Sequence, residues 1–77
     1  MEQILELLKE IRPEFDFKNS DDFIGDGYLD SFDVVSLVEM IESTFGIIID
    51  GLDVLPENFQ NVESIIAVIN KNGGKVE

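Results

Sequence analysis

The sequence predicts an all-α domain, a small four-helix bundle of three main helices and one short helix, with a long loop after the first helix. Three observations carry this. Apolar residues recur at steps of three and four in three separate segments. Helix start and stop residues flank those segments. The β-branched run Ile47-Ile48-Ile49 has strand propensity, but no other segment offers it a partner strand.

The first helix spans about Glu2 to Ile11, with Ile4, Leu8 and Ile11 on one face and Leu5 beside them. Pro13 ends it, because proline disfavours helical geometry in the residue before it. A connection follows from about Glu14 to Leu29, where Phe15, Phe17, Phe23, Ile24 and Tyr28 stand among Asn, Asp, Ser and Gly. Connections this long are often functional, and the aromatics predict that this one packs across the helices. The second helix starts at Asp30 or Ser31 and runs to about Phe45. Its buried stripe is Val34, Leu37, Val38, Ile41 and Phe45. Asp30 suits the N-cap, Asp33 suits the positive end of the helix dipole, and Gly46 suits the stop. Pro56 opens a short helical turn to Phe59. The last helix runs from Val62 to about Lys71, capped by Asn61, with Val62, Ile65, Ile66 and Ile69 inward. Gly73-Gly74 ends it, and residues 73–77 are expected to fray. No repeat or linker divides the 77 residues, so residues 1–77 are read as a single domain.

Composition narrows the chemistry. There is no cysteine, hence no disulfide, thiolate metal site or thiol nucleophile, and a cytoplasmic setting is expected. There is no histidine, so a Ser-His-Asp triad cannot form within the chain. The acidic start MEQILELLKE is neither a signal peptide nor a membrane span. Seventeen acids face five bases, a formal charge of −12. Such a chain repels nucleic acid and anionic membrane and attracts basic protein surfaces or cations. No Lys or Arg falls between Asn19 and Asn70, a stretch that holds eleven acids: Asp21, Asp22, Asp26, Asp30, Asp33, Glu39, Glu42, Asp50, Asp53, Glu57 and Glu63. These acids have no basic neighbour within that stretch.

The segment Gly27-Tyr28-Leu29-Asp30-Ser31-Phe32 places a serine in the first turn of a helix, after an acid, at the end of the long connection. A helix N-terminus favours a phosphate group. The structural alternative is a serine that helps to cap the helix. The segment resembles the Asp-Ser-Leu attachment motif of acyl and peptidyl carrier proteins. The resemblance extends over nearly the whole chain, through Phe45-Gly46-Ile47-Ile48-Ile49 to Asn61-Val62-Glu63-Ser64-Ile65. It implies a protein without catalytic residues that carries acyl or aminoacyl groups as thioesters. The cargo would ride on a 4'-phosphopantetheine arm, moved from coenzyme A onto Ser31 by a phosphopantetheinyl transferase, with Asp30 as part of the motif. The arm would supply the thiol that the sequence lacks. Phe32 stands where Leu is commoner, and Gly-x-Leu-Asp-Ser-Phe is similar to the pattern of D-alanyl carrier proteins. Ser36 and Ser43 stand where fatty-acid carriers often have acids. Fatty-acid, polyketide and other specialised acyl or aminoacyl pathways therefore all stay open, and the cargo is not named.

The partners implied are the transferase and loading ligases or synthases with basic docking surfaces, meeting a monomeric carrier. Phe32, Asp33, Glu39 and Met40 lie off the buried stripe and are expected to be exposed as the docking face. Two other readings compete. An acidic interaction module shares the charge but gives no reason for Asp30-Ser31 at a helix start. A calcium loop would use Asp22, Asp26, Asp30 and Asp33 in an EF-hand frame, but its third position is Ile24, which has no ligating side chain, and its twelfth is Asp33 where a bidentate Glu is preferred. No dedicated metal site is expected, only weak divalent binding at those four aspartates.

Overall fold

The structure is a computed structural model that describes residues 2–76. It is all-helical, with no strand among the described residues. Three α-helices, α1 (Glu2–Ile11), α2 (Ser31–Phe45) and α3 (Val62–Lys71), are joined by connections that contain single turns of 3₁₀ helix at Phe17–Asn19, Gly51–Asp53 and Pro56–Phe59. The short helix expected at Pro56 is thus one 3₁₀ turn, and the first long connection is broken by the turn at Phe17–Asn19. Proline at the start of the Pro56 turn has no N–H to leave unpaired, which suits a short element of this kind.

Each helix buries one stripe. Ile4, Leu7 and Leu8 of α1, Val34, Leu37, Val38 and Ile41 of α2, and Ile65, Val68 and Ile69 of α3 meet Phe17, Phe23, Leu29, Ile49 and Phe59 in one core. Helix α1 packs on both α2 and α3, and the Pro56–Phe59 turn packs on α2 and α3. The stripe of α1 lies toward Leu7, leaving Leu5 and Ile11 partly buried, and in α3 Val68 is more deeply buried than Val62 or Ile66. Both ends of α2 are closed locally. Asp30 caps the start, and Gly46 adopts a left-handed conformation (φ 66°) at the stop, where a side chain would be strained.

The run Ile47-Ile48-Ile49 forms no strand. Ile49 is buried, Ile47 half-buried and Ile48 exposed. In the tail expected to fray, the Gly74 amide donates to the Ile69 carbonyl (2.9 Å), and Val76 packs half-buried against the core. Residue 77 lies outside the described residues. No described helix is long and apolar enough to cross a membrane.

Candidate functional site at the start of the second helix

The first connection delivers the chain to α2 through a cluster of rings. Phe15 stacks on Tyr28 with centroids 4.5 Å apart, and Phe17 meets Phe23 and Tyr28 edge-on at 5.0 and 5.5 Å. The Phe23 amide donates to the Gln60 carbonyl (2.6 Å), and the Tyr28 and Leu29 amides both donate to the Phe23 carbonyl (2.8 and 3.0 Å). Phe23 and Leu29 are buried, so Asp30 and Ser31 emerge from a fixed point.

Asp30 and Asp33 form a reciprocal cap. Asp30 Oδ1 accepts the Asp33 amide (2.9 Å), and Asp33 Oδ2 accepts the Asp30 amide (3.1 Å). The capping role is filled by these two acids, which leaves the hydroxyl of Ser31 outside it. Ser31 is the first residue of α2 and is exposed, and Phe32 beside it is 84% exposed. The alternative that Ser31 serves as the cap is therefore set aside. An exposed serine oxygen at the positive end of a 15-residue helix suits a covalently attached phosphate.

Arg12, just beyond α1, reaches the same cap. Its Nε donates to Asp33 Oδ2 (2.9 Å), one Nη to Asp30 Oδ2 (3.4 Å) and the other to Glu14 Oε2 (3.4 Å). The Asp33 contact is the first cause that raises the Arg12 pKa above its ordinary value. Asp30 is held below the ordinary carboxylate range, chiefly because it accepts the Asp33 amide, and secondarily because Arg12 lies close.

Two of the four predicted docking residues are not free. Asp33 has a side chain only 13% exposed, drawn back by the cap and by Arg12. Met40 is half-buried against the core, since it lies three residues after Leu37 at the edge of the stripe and its flexible thioether fills the gap. Glu39 is exposed. With Met40 it lines a cleft of about 440 Å³ between α1 and α2, together with Leu7, Glu10, Ser36 and Ser43. Exposed apolar residues that were not anticipated lie at Val35, Ile48, Leu52 and Leu55. Val35 could have been found, since it is off the stripe and four residues after Ser31, hence on the same helical face. Ile48 carries no such signal.

The four aspartates of the calcium frame are committed elsewhere. Asp22 Oδ1 accepts the Gly25 amide (2.9 Å) and Asp26 Oδ2 accepts the Ser20 hydroxyl (2.5 Å), while Asp30 and Asp33 form the cap. Among the described residues no three acids gather where they could hold a metal ion. Three of the eleven acids of residues 19–70 meet a base from outside that stretch: Asp30 and Asp33 meet Arg12, and Asp53 meets Lys71, where Nζ lies 2.8 Å from Oδ1.

Residues 2–69 match the family described as phosphopantetheine attachment site. No curated protein and no solved structure matched the chain.

Proposed function

Because the chain belongs to the phosphopantetheine-attachment family, as a carrier protein with a covalent 4'-phosphopantetheine arm, we propose that Ser31 is the residue that bears the arm. One observation carries this reading: Ser31 is the exposed first residue of α2, with Asp30 and Asp33 making the cap in its place. In the attachment step the Ser31 oxygen bonds to the pantetheine-side phosphorus of coenzyme A. The diphosphate P–O bond breaks and adenosine 3',5'-bisphosphate leaves. The hydroxyl proton goes to a base on the transferase. The arm supplies a thiol that holds cargo as a thioester.

The docking surface is the α2 face that carries Ser31, Phe32, Val35 and Glu39. These residues stand at helical steps of three and four, and all are exposed. Glu42 Oε2 accepts the Ile49 amide (3.0 Å), which brings the segment with exposed Ile48 beside the same helix. Apolar side chains within an acidic chain suit a partner enzyme with an apolar hollow and a basic rim. Met40 lies at its edge, while Asp33 is withdrawn into the cap and is not part of the contact. The partners are the transferase and the ligase or synthase that loads the cargo, which a monomeric carrier meets in the cytoplasm. Gly27-Tyr28-Leu29-Asp30-Ser31-Phe32 favours a specialised acyl or aminoacyl cargo over housekeeping fatty-acid synthesis.

The test is incubation with coenzyme A, magnesium and a broad-specificity transferase, read by intact mass. One arm is expected on the wild type and none on S31A. Labelling of S31A, at Ser36 for example, overturns the assignment.

A further inference from the structure

Ser31 lies between two carboxylates, yet the reaction brings the diphosphate of coenzyme A to its oxygen and leaves a phosphodiester there. Anions so close repel, and the repulsion is felt most where solvent is displaced by the approaching partner. Arg12 answers this charge in the structure. It is the cation that touches both acids of the cap, and it comes from a different element, at the end of α1. Its guanidinium fork lets a single side chain reach Asp30, Asp33 and Glu14 together. The reach spans 18 residues to Asp30 and 21 to Asp33, so the contact exists only in the folded chain. Its side chain is 35% exposed, so solvent screens these contacts in part.

We propose that Arg12 is a positioning residue for arm attachment: by offsetting part of the charge of Asp30 and Asp33 it keeps the start of α2 more open to an incoming phosphate while the two acids go on capping the helix. The inference rests on the assignment of Ser31. Asp30 and Asp33 hold the helix geometry, and Arg12 offsets part of the charge they bring to it. The groups that face this guanidinium are Glu14 from the first connection and Asp30 and Asp33 from α2.

The experiment measures attachment at saturating carrier, with coenzyme A and the transferase, for wild type, R12Q, R12K, K9Q and the double variant R12Q/D33N. Lys9 is exposed on α1, and K9Q makes the same change in net charge away from the cap. R12Q should lower kcat by about threefold to fivefold, the size of a lost charge contact at a part-exposed site. R12K and K9Q should keep most of the wild-type kcat. R12Q/D33N should recover it, because removing one carboxylate restores the local balance while Asn still accepts the Asp30 amide. A purely structural tether between α1 and α2 gives no such recovery. Wild-type kcat in R12Q, or no recovery in R12Q/D33N, overturns the proposal. A separate readout is the NMR titration of Asp30, which should move to higher pH in R12Q, and an unmoved titration counts against the proposal. Peptide mapping of the product locates the arm. An arm found away from Ser31 defeats the functional assignment, whereas the Asp30 titration tests the Arg12 contact by itself.

Discussion

The two long connections both bury aromatic side chains but differ in what else holds them. The first, between α1 and α2, is anchored by rings: Phe17 and Phe23 are buried, and Phe15 and Tyr28 stack on each other and meet Phe17 edge-on. The second, between α2 and α3, buries Ile49 and Phe59 and is tied to the helix ends by carboxylates as well. Asp53 is buried, and it accepts from Lys71 Nζ (2.8 Å) and Asn72 Nδ2 (3.2 Å) at the end of α3. Asn72 Oδ1 in turn accepts the Asp50 amide (3.1 Å), and Glu42 takes the Ile49 amide. Large apolar side chains of this second segment, Ile48 and Leu52, are each 83% exposed. Apolar anchoring involves no titrating group, so it suits the segment that sets the height and direction of Ser31. Polar anchoring leaves apolar side chains free for a partner, and it makes the segment answer to solution conditions.

The largest effect that sharpens this contrast is expected from F23A. Phe23 is fully buried, and its carbonyl accepts two amides of the same loop. Truncation should cost about 3–5 kcal/mol, a large share of the stability of a domain this small. Denaturant unfolding should show it, and a small loss would mean that the ring cluster does not hold the first connection.

D53N comes next. It should lower the melting temperature by several degrees at neutral pH and reduce the response to acid. The Asp53 pKa is lowered, chiefly by the Lys71 hydrogen bond and then by Asn72. Its contribution is therefore present above the ordinary aspartate range and is lost as pH falls through the lowered value. The Lys71 pKa is raised by the Asp53 hydrogen bond, so its side of the pair persists through neutral pH and is lost only as pH rises through the raised value. Thermal melts of wild type and D53N at neutral and acid pH compare the two. Equal slopes would remove Asp53 as the pH-sensitive anchor.

A smaller effect is expected from E42A. It removes the acceptor of the Ile49 amide and should cost roughly 1 kcal/mol. Amide exchange at Ile49 should quicken while that at Tyr28 stays unchanged. Parallel changes at both would show that the two connections open together.

Salt should act least. Sodium chloride and millimolar magnesium or calcium are expected to raise the melting temperature by a few degrees through relief of repulsion in a chain of charge −12. Glu39 and Glu57 are exposed and contribute to that repulsion. A melting temperature that is flat in salt and in divalent ions would show that the acids are too well separated to matter.

The helices, their caps and the position of Ser31 were legible in the sequence because each rests on local rules. Periodicity places Val34, Leu37 and Ile41 on one face, and Asp30, Asn61 and Gly46 close helix ends through atoms a few residues away. The extent of α1, α2 and α3 follows from these signals alone. Tertiary structure decided which charges are answered. Arg12 meets Asp33 across 21 residues, and Lys71 meets Asp53 across 18, with no period or motif linking them. The sequence shows eleven acids without a base among them, while the fold brings one base in from each side. It also decided that Asp33 and Met40 are partly covered while Ile48 and Leu52 stand exposed. The physical reason is reach. Backbone hydrogen bonding reads out within one helical turn, whereas the neighbour of a side chain depends on how whole elements pack.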